Sequence, residues 1–290
     1  MKRGNFLRIG AAALLTPMVM KLQAFSRWAD EQPASGRMPV MFAGHGNPMN
    51  AILKNEFSNK WQQLGETLPR PKAILSVSAH WLTRGTYVTA MERPKTIHDF
   101  GGFPKELFAQ QYPAKNAPDM VAETKKAIRS TAVMDDHEWG LDHGTWSVLL
   151  PMYPKADIPV FQLSIDYSQP PQYHYELARQ LGVLRNKGVL IMGSGNIVHN
   201  LGMVDFHAKE TFGWAAEFDD KIKTAIDKGD HETVIRYDKM GKLAGMAVPT
   251  NDHYLPLIYT LALQDKKDDV KYFNDKFDAG SISMRSLLIG

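Results

Sequence analysis

Short apolar segments alternate with longer segments of helical periodicity along most of this 290-residue chain. This alternation predicts an α/β sandwich with a mixed, largely parallel central sheet, because parallel strands need crossover connections that are usually helical. The strand at 189–192 is apolar throughout, which indicates burial on both faces of the sheet. The predicted strands are 40–43, 73–77, 87–91, 160–165 and 189–192, and the predicted helices are 51–64, 119–130, 173–186, 212–228 and 254–263.

Residues 1–37 differ from the rest, and residues 38–290 contain no internal repeat or linker, so we expect one catalytic domain there. A basic start, an apolar run at 9–20 and a polar exit outline an export signal. The segment RGNFLR (3–8) resembles a twin-arginine signal in which Gly4 replaces the second arginine. Export to the periplasm is one expectation, and a cytoplasmic protein with a flexible or amphipathic extension is the other. The apolar run is shorter than the ~20 residues of a spanning helix, which predicts no stable membrane insertion.

Several function classes are disfavoured by composition and by incomplete motifs. The chain has no cysteine, which excludes disulfides, thiolate metal sites, iron–sulfur clusters and a cysteine nucleophile. The formal net charge is +3 without a basic tract, so nucleic acid is not an expected partner. The segment GSGNIV (193–198) lacks the third glycine of a dinucleotide-binding loop, and no Gly-x-Ser-x-Gly elbow is present. Homo-oligomerisation is left open by the sequence.

Histidines follow three of the predicted strands. His45 comes after the first strand, His80 after the second, and His199 after the strand at 189–192. Open α/β sheets gather ligands at the carboxyl ends of their strands, and neutral imidazole is the commonest metal ligand in proteins. We therefore expect a divalent metal held by histidine with carboxylate or water. No close spacing such as His-x-x-x-His supports this, and a structural role is the plainer interpretation of His137, His174, His207 and His231.

Six motifs resemble those of the 4,5-DOPA extradiol dioxygenase family, which belongs to the class III (LigB-type) ring-cleavage dioxygenases. The resemblance extends from about residue 38 to residue 290 and is closest to the bacterial branch, which includes zinc-containing dioxygenase-like proteins. The motifs are GHGNPM (44–49), SAHW (78–81), IHDFGGFP (97–104), DHG (142–144), GNIVHN (195–200) and DHYLP (252–256).

The resemblance implies that His45, His80 and His253 hold the metal. His253 takes a position that is filled by a glutamate ligand in better-known class III enzymes, so this site has lost a carboxylate and is more zinc-like. The resemblance leaves open whether His199 is a fourth ligand or an acid/base. It places His143 beside the substrate as a proton donor or acceptor.

The loop that contains His98, Asp99 and Phe100 is expected to shape the mouth of the substrate pocket, and a simple turn is the alternative interpretation. The activity implied by the resemblance is extradiol cleavage of a catechol such as DOPA with O2, on one divalent metal per chain, Zn2+ or Fe2+. Fe2+ is needed for this chemistry because zinc has no accessible second oxidation state. The alternatives are a zinc-dependent hydrolase or amidase on the same site, and a catalytically idle metal- or catechol-binding protein.

Overall fold

The computed structural model of the protein describes residues 37–208 and 210–290. Its strands, in chain order, are β1 (Val40–Gly44), β2 (Ala73–Ser78), β3 (Leu82–Thr83), β4 (Thr86–Thr89), β5 (Val133–Asp136), β6 (Val160–Gln162), β7 (Ile165–Asp166), β8 (Val189–Gly195), β9 (Val270–Phe273), β10 (Phe277–Asp278), β11 (Ile282–Ser283) and β12 (Ser286–Ile289). Its α-helices are α1 (Glu56–Thr67), α2 (Lys105–Phe108), α3 (Pro118–Ala127), α4 (His143–Met152), α5 (Pro171–Arg179), α6 (Gly182–Arg185), α7 (Gly213–Asp227), α8 (His231–Ile235), α9 (Lys242–Ala247) and α10 (Leu255–Leu261).

A six-stranded sheet with the order β6-β2-β8-β1-β12-β9 forms the centre of the molecule. The strands β6, β2, β8 and β1 pair in parallel, whereas β12 is antiparallel to both β1 and β9. The predicted α/β fold with a largely parallel central sheet is therefore confirmed. The register sets Gly44 opposite Gly195 and Ser194 opposite Ser78, so β1, β8 and β2 end level with one another.

Both faces of the sheet are covered, as the apolar strand at 189–192 predicts. Successive side chains of a strand point to opposite faces. Phe42 of β1 accordingly packs into the core formed with α7 and α10, while its neighbour Met41 packs into the core formed with α1 and α4. Buried apolar surface on both faces fixes the sheet, and with it the edge at which the strands end.

Three predicted elements differ from the structure by more than a few residues or are divided in two. The helix expected at 51–64 begins at Glu56, because the Asn55 side chain caps it by accepting hydrogen bonds from the next turn. The strand expected at 160–165 divides into β6 and β7, because the amide of Ser164 bonds to the Tyr87 carbonyl, away from the central sheet. The helix expected at 173–186 is divided into α5 and α6.

The predicted extension at 1–37 lies outside the described residues, except for Arg37. The Arg37 side chain bonds to Asp268, with 2.7 Å between Nη1 and Oδ1. Of the helices in the described part of the chain, none combines the length and the apolar character needed to cross a membrane. The export prediction therefore stays a prediction.

Candidate metal and active site

Backbone hydrogen bonds hold three loops together at the carboxyl edge of the sheet. The amide of His45, just past β1, donates to Gly195 of β8 over 3.1 Å. The amide of Ala79, which precedes His80, donates to Ser194 over 3.0 Å. The loop before α10 joins them, because the amide of Asn196 donates to the carbonyl of His253 over 2.8 Å. Histidines far apart in the sequence thus meet at one place.

A cavity of about 340 Å³ opens at this edge. Five of the residues that line it form what we call the histidine cluster: His45, His80, His143, His199 and His253. The loop after His199 contributes apolar side chains to another part of the wall. We call these three residues the apolar rim: Leu201, Val204 and Phe206. His45, His80 and His199, which follow the three strands, thus line one cavity, as predicted. His143 and His253 line the same cavity.

The ring centres of His45, His80 and His253 form a nearly equilateral triangle. Their centres lie 5.0 Å apart for His45 and His80, 5.2 Å for His45 and His253, and 5.0 Å for His80 and His253. Three imidazoles bound tetrahedrally to one ion at typical zinc–nitrogen distances have ring centres about 5 Å apart. The Nε2 atoms of His45 and His80 are 3.1 Å apart, as neighbouring ligands of one ion can be. These three residues fit a divalent metal.

A serine decides which nitrogen of His45 faces the cavity. Ser194 Oγ donates its only proton to the carbonyl of Gly144 over 2.5 Å. It can therefore only accept from His45 Nδ1, which lies 3.0 Å away. The proton of the neutral ring is thus on Nδ1, and the lone pair is on Nε2, which faces His80.

A carboxylate lies beside Nδ1 of each of the other two rings, hydrogen-bonded to His253 and in electrostatic contact with His80. Asp252 Oδ1 lies 2.9 Å from Nδ1 of His253, and Asp99 Oδ2 lies 3.3 Å from Nδ1 of His80. A carboxylate accepts the Nδ1 proton and leaves Nε2 free to bind metal, an arrangement typical of metal-ligating histidines. All three rings consequently have Nε2 free for a ligand in the cavity.

Asp99 also holds His143. Its Oδ1 atom accepts from the backbone amide and from Nδ1 of His143, each over 2.9 Å. The His143 ring centre lies 3.9 Å from that of His80 and 5.6 Å from that of His45, so it departs from the even spacing of the other three rings. Ligand atoms of His45, His80 and His143 nevertheless lie within 4.8 Å of one another, which makes this trio a second candidate set of ligands.

His199 lies flat against His253. The two ring centres are 3.5 Å apart, and the planes are only 7° from parallel. A nitrogen of His199 and ligand atoms of Asp252 and His253 lie within 4.8 Å of one another. His199 is therefore placed either to be a fourth metal ligand or to act as an acid/base. The two roles expected for it remain alternatives.

Four rings of the histidine cluster have a lowered pKa, which favours their neutral form. Burial and then the neighbouring histidines lower the pKa of His45 and of His253 well below the ordinary value. Burial lowers the pKa of His80 and of His199 to about 4, against the opposing effect of nearby aspartates. Burial acts to raise the pKa of Asp99, but its contacts with His143 and His80 outweigh this and lower it. Neutral imidazole is the form that binds a metal.

Two glycines that flank the histidines in the sequence permit close packing. A Cβ on Gly195 would lie 2.1 Å from the carbonyl oxygen of His253, and one on Gly144 would lie 2.8 Å from the ring of His80. Neither distance is available to a real side chain, so any other residue there displaces a histidine of the cluster.

Only part of the loop that was expected to shape the pocket mouth lines the cavity. Asp99 and Phe100 line the cavity, whereas His98 is not among its lining residues. The Nε2 atom of His98 instead bonds to the carbonyl of Gln110 over 3.0 Å, and its ring packs against Phe100. The expectation that His98 itself shapes the pocket mouth is therefore corrected: its ring contacts Phe100, which lines the cavity. Asp99 contacts two histidines, a role that the sequence did not predict.

Three further residues of the site were not predicted from the sequence: Ser194, Asp252 and Asp278. Asp252 precedes a predicted ligand, and Ser194 lies between two glycines at the end of a predicted strand. Both positions are signals in the sequence that could have identified these residues as part of the site. Asp278 lies on β10, a strand that was not predicted, and lines the far part of the cavity.

Comparison with known proteins gives consistent results. The model of the family described as the catalytic LigB subunit of aromatic ring-opening dioxygenase matches residues 38–282. The 4,5-DOPA dioxygenase extradiol of Escherichia coli is 45% identical over 89% of this chain and 96% of its own length. The protein of the same name from Beta vulgaris is 34% identical over 85% of this chain and 94% of its own. The crystal structure of an uncharacterized protein from Escherichia coli K12 superposes with a TM-score of 0.77 at 40% identity, covering 88% of this chain and all of that one.

Proposed function

The chain belongs to the LigB family of aromatic ring-opening dioxygenases, and on that premise we propose that it cleaves the ring of a catechol such as DOPA next to the diol. The observation that carries the proposal is the set of three evenly spaced imidazoles, His45, His80 and His253. Nδ1 is hydrogen-bonded to an acceptor in His45 and His253, and it lies 3.3 Å from a carboxylate in His80. His45, His80 and His253 would hold a ferrous ion, which would supply the redox chemistry that the reaction with O2 needs.

The protein itself supplies the ligand geometry and a set of uncharged ligands. Ser194 and Asp252 hold His45 and His253 in the tautomer that presents Nε2, and Asp99 lies beside Nδ1 of His80. Because imidazole ligands carry no charge, a divalent ion held by them would favour a catechol that has lost a proton. This provides a reason for a dianionic or monoanionic catechol to bind in place of water.

His143 is the base that we propose for that proton. Its Nδ1 donates to Asp99, so the lone pair on Nε2 is available to accept a proton from a catechol hydroxyl. The carboxylate of Asp99 stabilises the imidazolium that forms, and the proton can later be returned to the product. His199, stacked on His253, is the second candidate for proton transfer or a fourth ligand.

The test begins with metal analysis of the freshly purified full-length protein. The protein is then reconstituted with ferrous iron under nitrogen and mixed with O2 and a panel of catechols that includes L-DOPA. We expect oxygen uptake and a yellow ring-opened semialdehyde. The zinc-loaded protein is the matched control, and we expect it to bind catechol without consuming oxygen.

Two outcomes would contradict the proposal. Cleavage of an ester or amide by the zinc form, with no oxygen uptake by the iron form, would favour the hydrolase. Tight binding of catechols under air by the iron form without ring opening would identify a catalytically idle binding protein.

A further inference from the structure

Asp142 is a buried carboxylate next to the histidine cluster, and it has no cationic partner. The residue is 0% exposed. Its Oδ1 atom accepts from the hydroxyl of Ser78 over 2.6 Å and from the amide of Thr145 over 3.2 Å. Its Oδ2 atom accepts from Nε2 of Gln162 over 2.7 Å. These donors are all neutral, and within residues 37–208 and 210–290 no lysine or arginine forms an ion pair with Asp142. Its charge is therefore hydrogen-bonded but not balanced.

Two other deeply buried aspartates of the protein are balanced by a guanidinium. Asp219 pairs with Arg285 over 2.5 Å, and Asp268 pairs with Arg185 over 2.6 Å. Taking a carboxylate out of water is costly unless an opposite charge lies nearby. The contrast indicates that the positive partner of Asp142 is not one of the side chains of the protein.

Gly144 locates Asp142 relative to His80. A Cβ placed on Gly144 would lie 3.3 Å from Oδ1 of Asp142 and 2.8 Å from Cδ2 of His80, so the carboxylate and the ring lie beside the same backbone position. The hydroxyl of Ser78 also joins them, because it donates to Asp142 and accepts from the amide of His80 over 3.3 Å. A divalent ion on Nε2 of His80 would therefore bring positive charge close to this carboxylate.

The pKa of His80 reports the same proximity. Burial and then His143 lower this pKa, and Asp142 is the aspartate that opposes the lowering most strongly. The charge of Asp142 thus acts on the ring of a proposed ligand.

The other carboxylates near the cluster are placed differently. The side chains of Asp99 and Asp252 are 18% and 27% exposed, so water screens their charge in part, and each lies beside Nδ1 of a histidine. Among the described residues, no hydrogen bond joins Asp142 to an imidazole nitrogen. Its effect on an ion would be that of a fixed, unscreened charge.

We propose that Asp142 is the buried counter-charge of the metal, and that its carboxylate offsets part of the divalent charge that the imidazole ligands leave unbalanced. The inference rests on the metal site of the proposed function, but not on ring cleavage. It predicts opposite effects on two kinds of ligand. Without this charge the site binds a metal cation more weakly, and the bound ion attracts an anion more strongly.

The experiment uses the full-length protein, stripped of metal with a chelator and reloaded with Co2+, whose visible absorption reports the ligands around it. Metal affinity is measured by competition with a chelator, and azide is then titrated as the anion into the fully loaded protein. We expect Asp142→Asn to bind Co2+ about 10–100-fold more weakly, as is typical of residues just behind metal ligands. We expect the same variant, when loaded, to bind azide several-fold more tightly.

A double variant returns the charge to nearly the same place. In Asp142→Asn the new amide nitrogen faces Nε2 of Gln162, which is also a donor. Adding Gln162→Glu turns that contact into an amide donating to a carboxylate, and it keeps an acceptor for the backbone amide of residue 142, which lies 3.1 Å from Oε1 of Gln162. We expect the double variant to recover most of the lost metal affinity and to lose the additional azide affinity.

Two further variants complete the comparison. Asp142→Ser also removes the charge but retains a residue that caps helices, so it should change both affinities in the same directions as Asp142→Asn. Asp269→Asn, at an exposed position outside the cavity, is the matched control and should change neither.

A merely structural role of Asp142 gives a different result. If the neutral variants bind Co2+ and azide both more weakly, or bind Co2+ as tightly as the unaltered protein does, the inference is wrong. It is also wrong if the double variant binds Co2+ as weakly as Asp142→Asn. Absence of ring cleavage by the iron-loaded protein would refute the proposed function and leave these measurements unaffected. If the unaltered protein does not bind Co2+, the metal site and this inference fail together.

Discussion

The histidine cluster and the apolar rim line the same cavity but are built in different ways. In the cluster, His45 is 1% exposed and both its ring and its backbone are hydrogen-bonded to β8. In the rim, Phe206 is 75% and Leu201 is 69% exposed. His45 is thus held by hydrogen bonds inside the protein, whereas Leu201 and Phe206 of the rim lie largely in solvent. The difference indicates that chemistry belongs to the cluster and that the rim contributes a limited amount of binding energy.

Removing a ligand should have the largest effect. We expect His45→Ala to abolish metal retention, because two rings cannot replace the evenly spaced set of three. Metal content after dialysis is the measurement. His137→Ala, at an exposed position away from the cavity, is the control and should retain metal. Unchanged metal content in His45→Ala would refute the assignment of the site.

Removing the proposed base should leave the metal and slow the reaction. General acid–base catalysis is typically worth about 10²–10⁴-fold, so His143→Ala should lose kcat on that order. The measurement pairs oxygen uptake with metal analysis of the same sample. Loss of metal in His143→Ala would instead identify His45, His80 and His143 as the ligand set, the second trio that the geometry permits.

Removing the hydrogen-bond acceptor that orients a metal ligand should reduce metal affinity less than removing the ligand itself. Ser194→Ala leaves Nδ1 of His45 without its acceptor, and groups that orient metal ligands in this way are typically worth about 10–100-fold in metal affinity. Competition with a chelator measures the change. Ser130→Ala, at an exposed site, is the matched control. An affinity equal to that of the unaltered protein would show that the tautomer of His45 is set by other contacts.

Changing the rim should have the smallest effect. Because Phe206 is largely exposed, Phe206→Ala removes only part of the ~1.5–3 kcal/mol that full burial of such a side chain provides. We expect kcat/KM for a simple catechol to fall by less than about tenfold, with metal content unchanged. A larger loss, or a loss of metal, would mean that the rim helps to position the cluster and that the contrast between the two regions is false.

The sequence predicted the architecture well where buried strands are short and uniformly apolar. The strands at 40–43, 73–77 and 189–192 became β1, β2 and β8, and these are the strands that carry the site. The family resemblance, which was based on six motifs, is confirmed by the match over 38–282. The antiparallel strands β9 and β12 were missed, because nothing in their sequence indicates that β12 pairs with β1 and β9 with β12.

Helix α4 was also missed, although His143 begins it. Its segment contains Gly144 near the start and Pro151 near the end, both poor helix formers, and it is apolar on most sides. The Asp142 side chain caps the helix by accepting a hydrogen bond from the amide of Thr145. Burial of its apolar side chains against other elements also stabilises it. Local propensity disfavours this helix, and tertiary packing overrides it.

The sequence by itself determined the residue types available for chemistry and the approximate edge at which they meet. With no cysteine in the chain, histidines after parallel strands were the available metal ligands. Only the tertiary structure decided which rings stand evenly spaced, which nitrogen each presents, and that Asp99 serves both His80 and His143. The physical reason is that a strand end fixes a residue's location along the sheet, whereas ring orientation and tautomer depend on hydrogen-bond partners far away in the sequence.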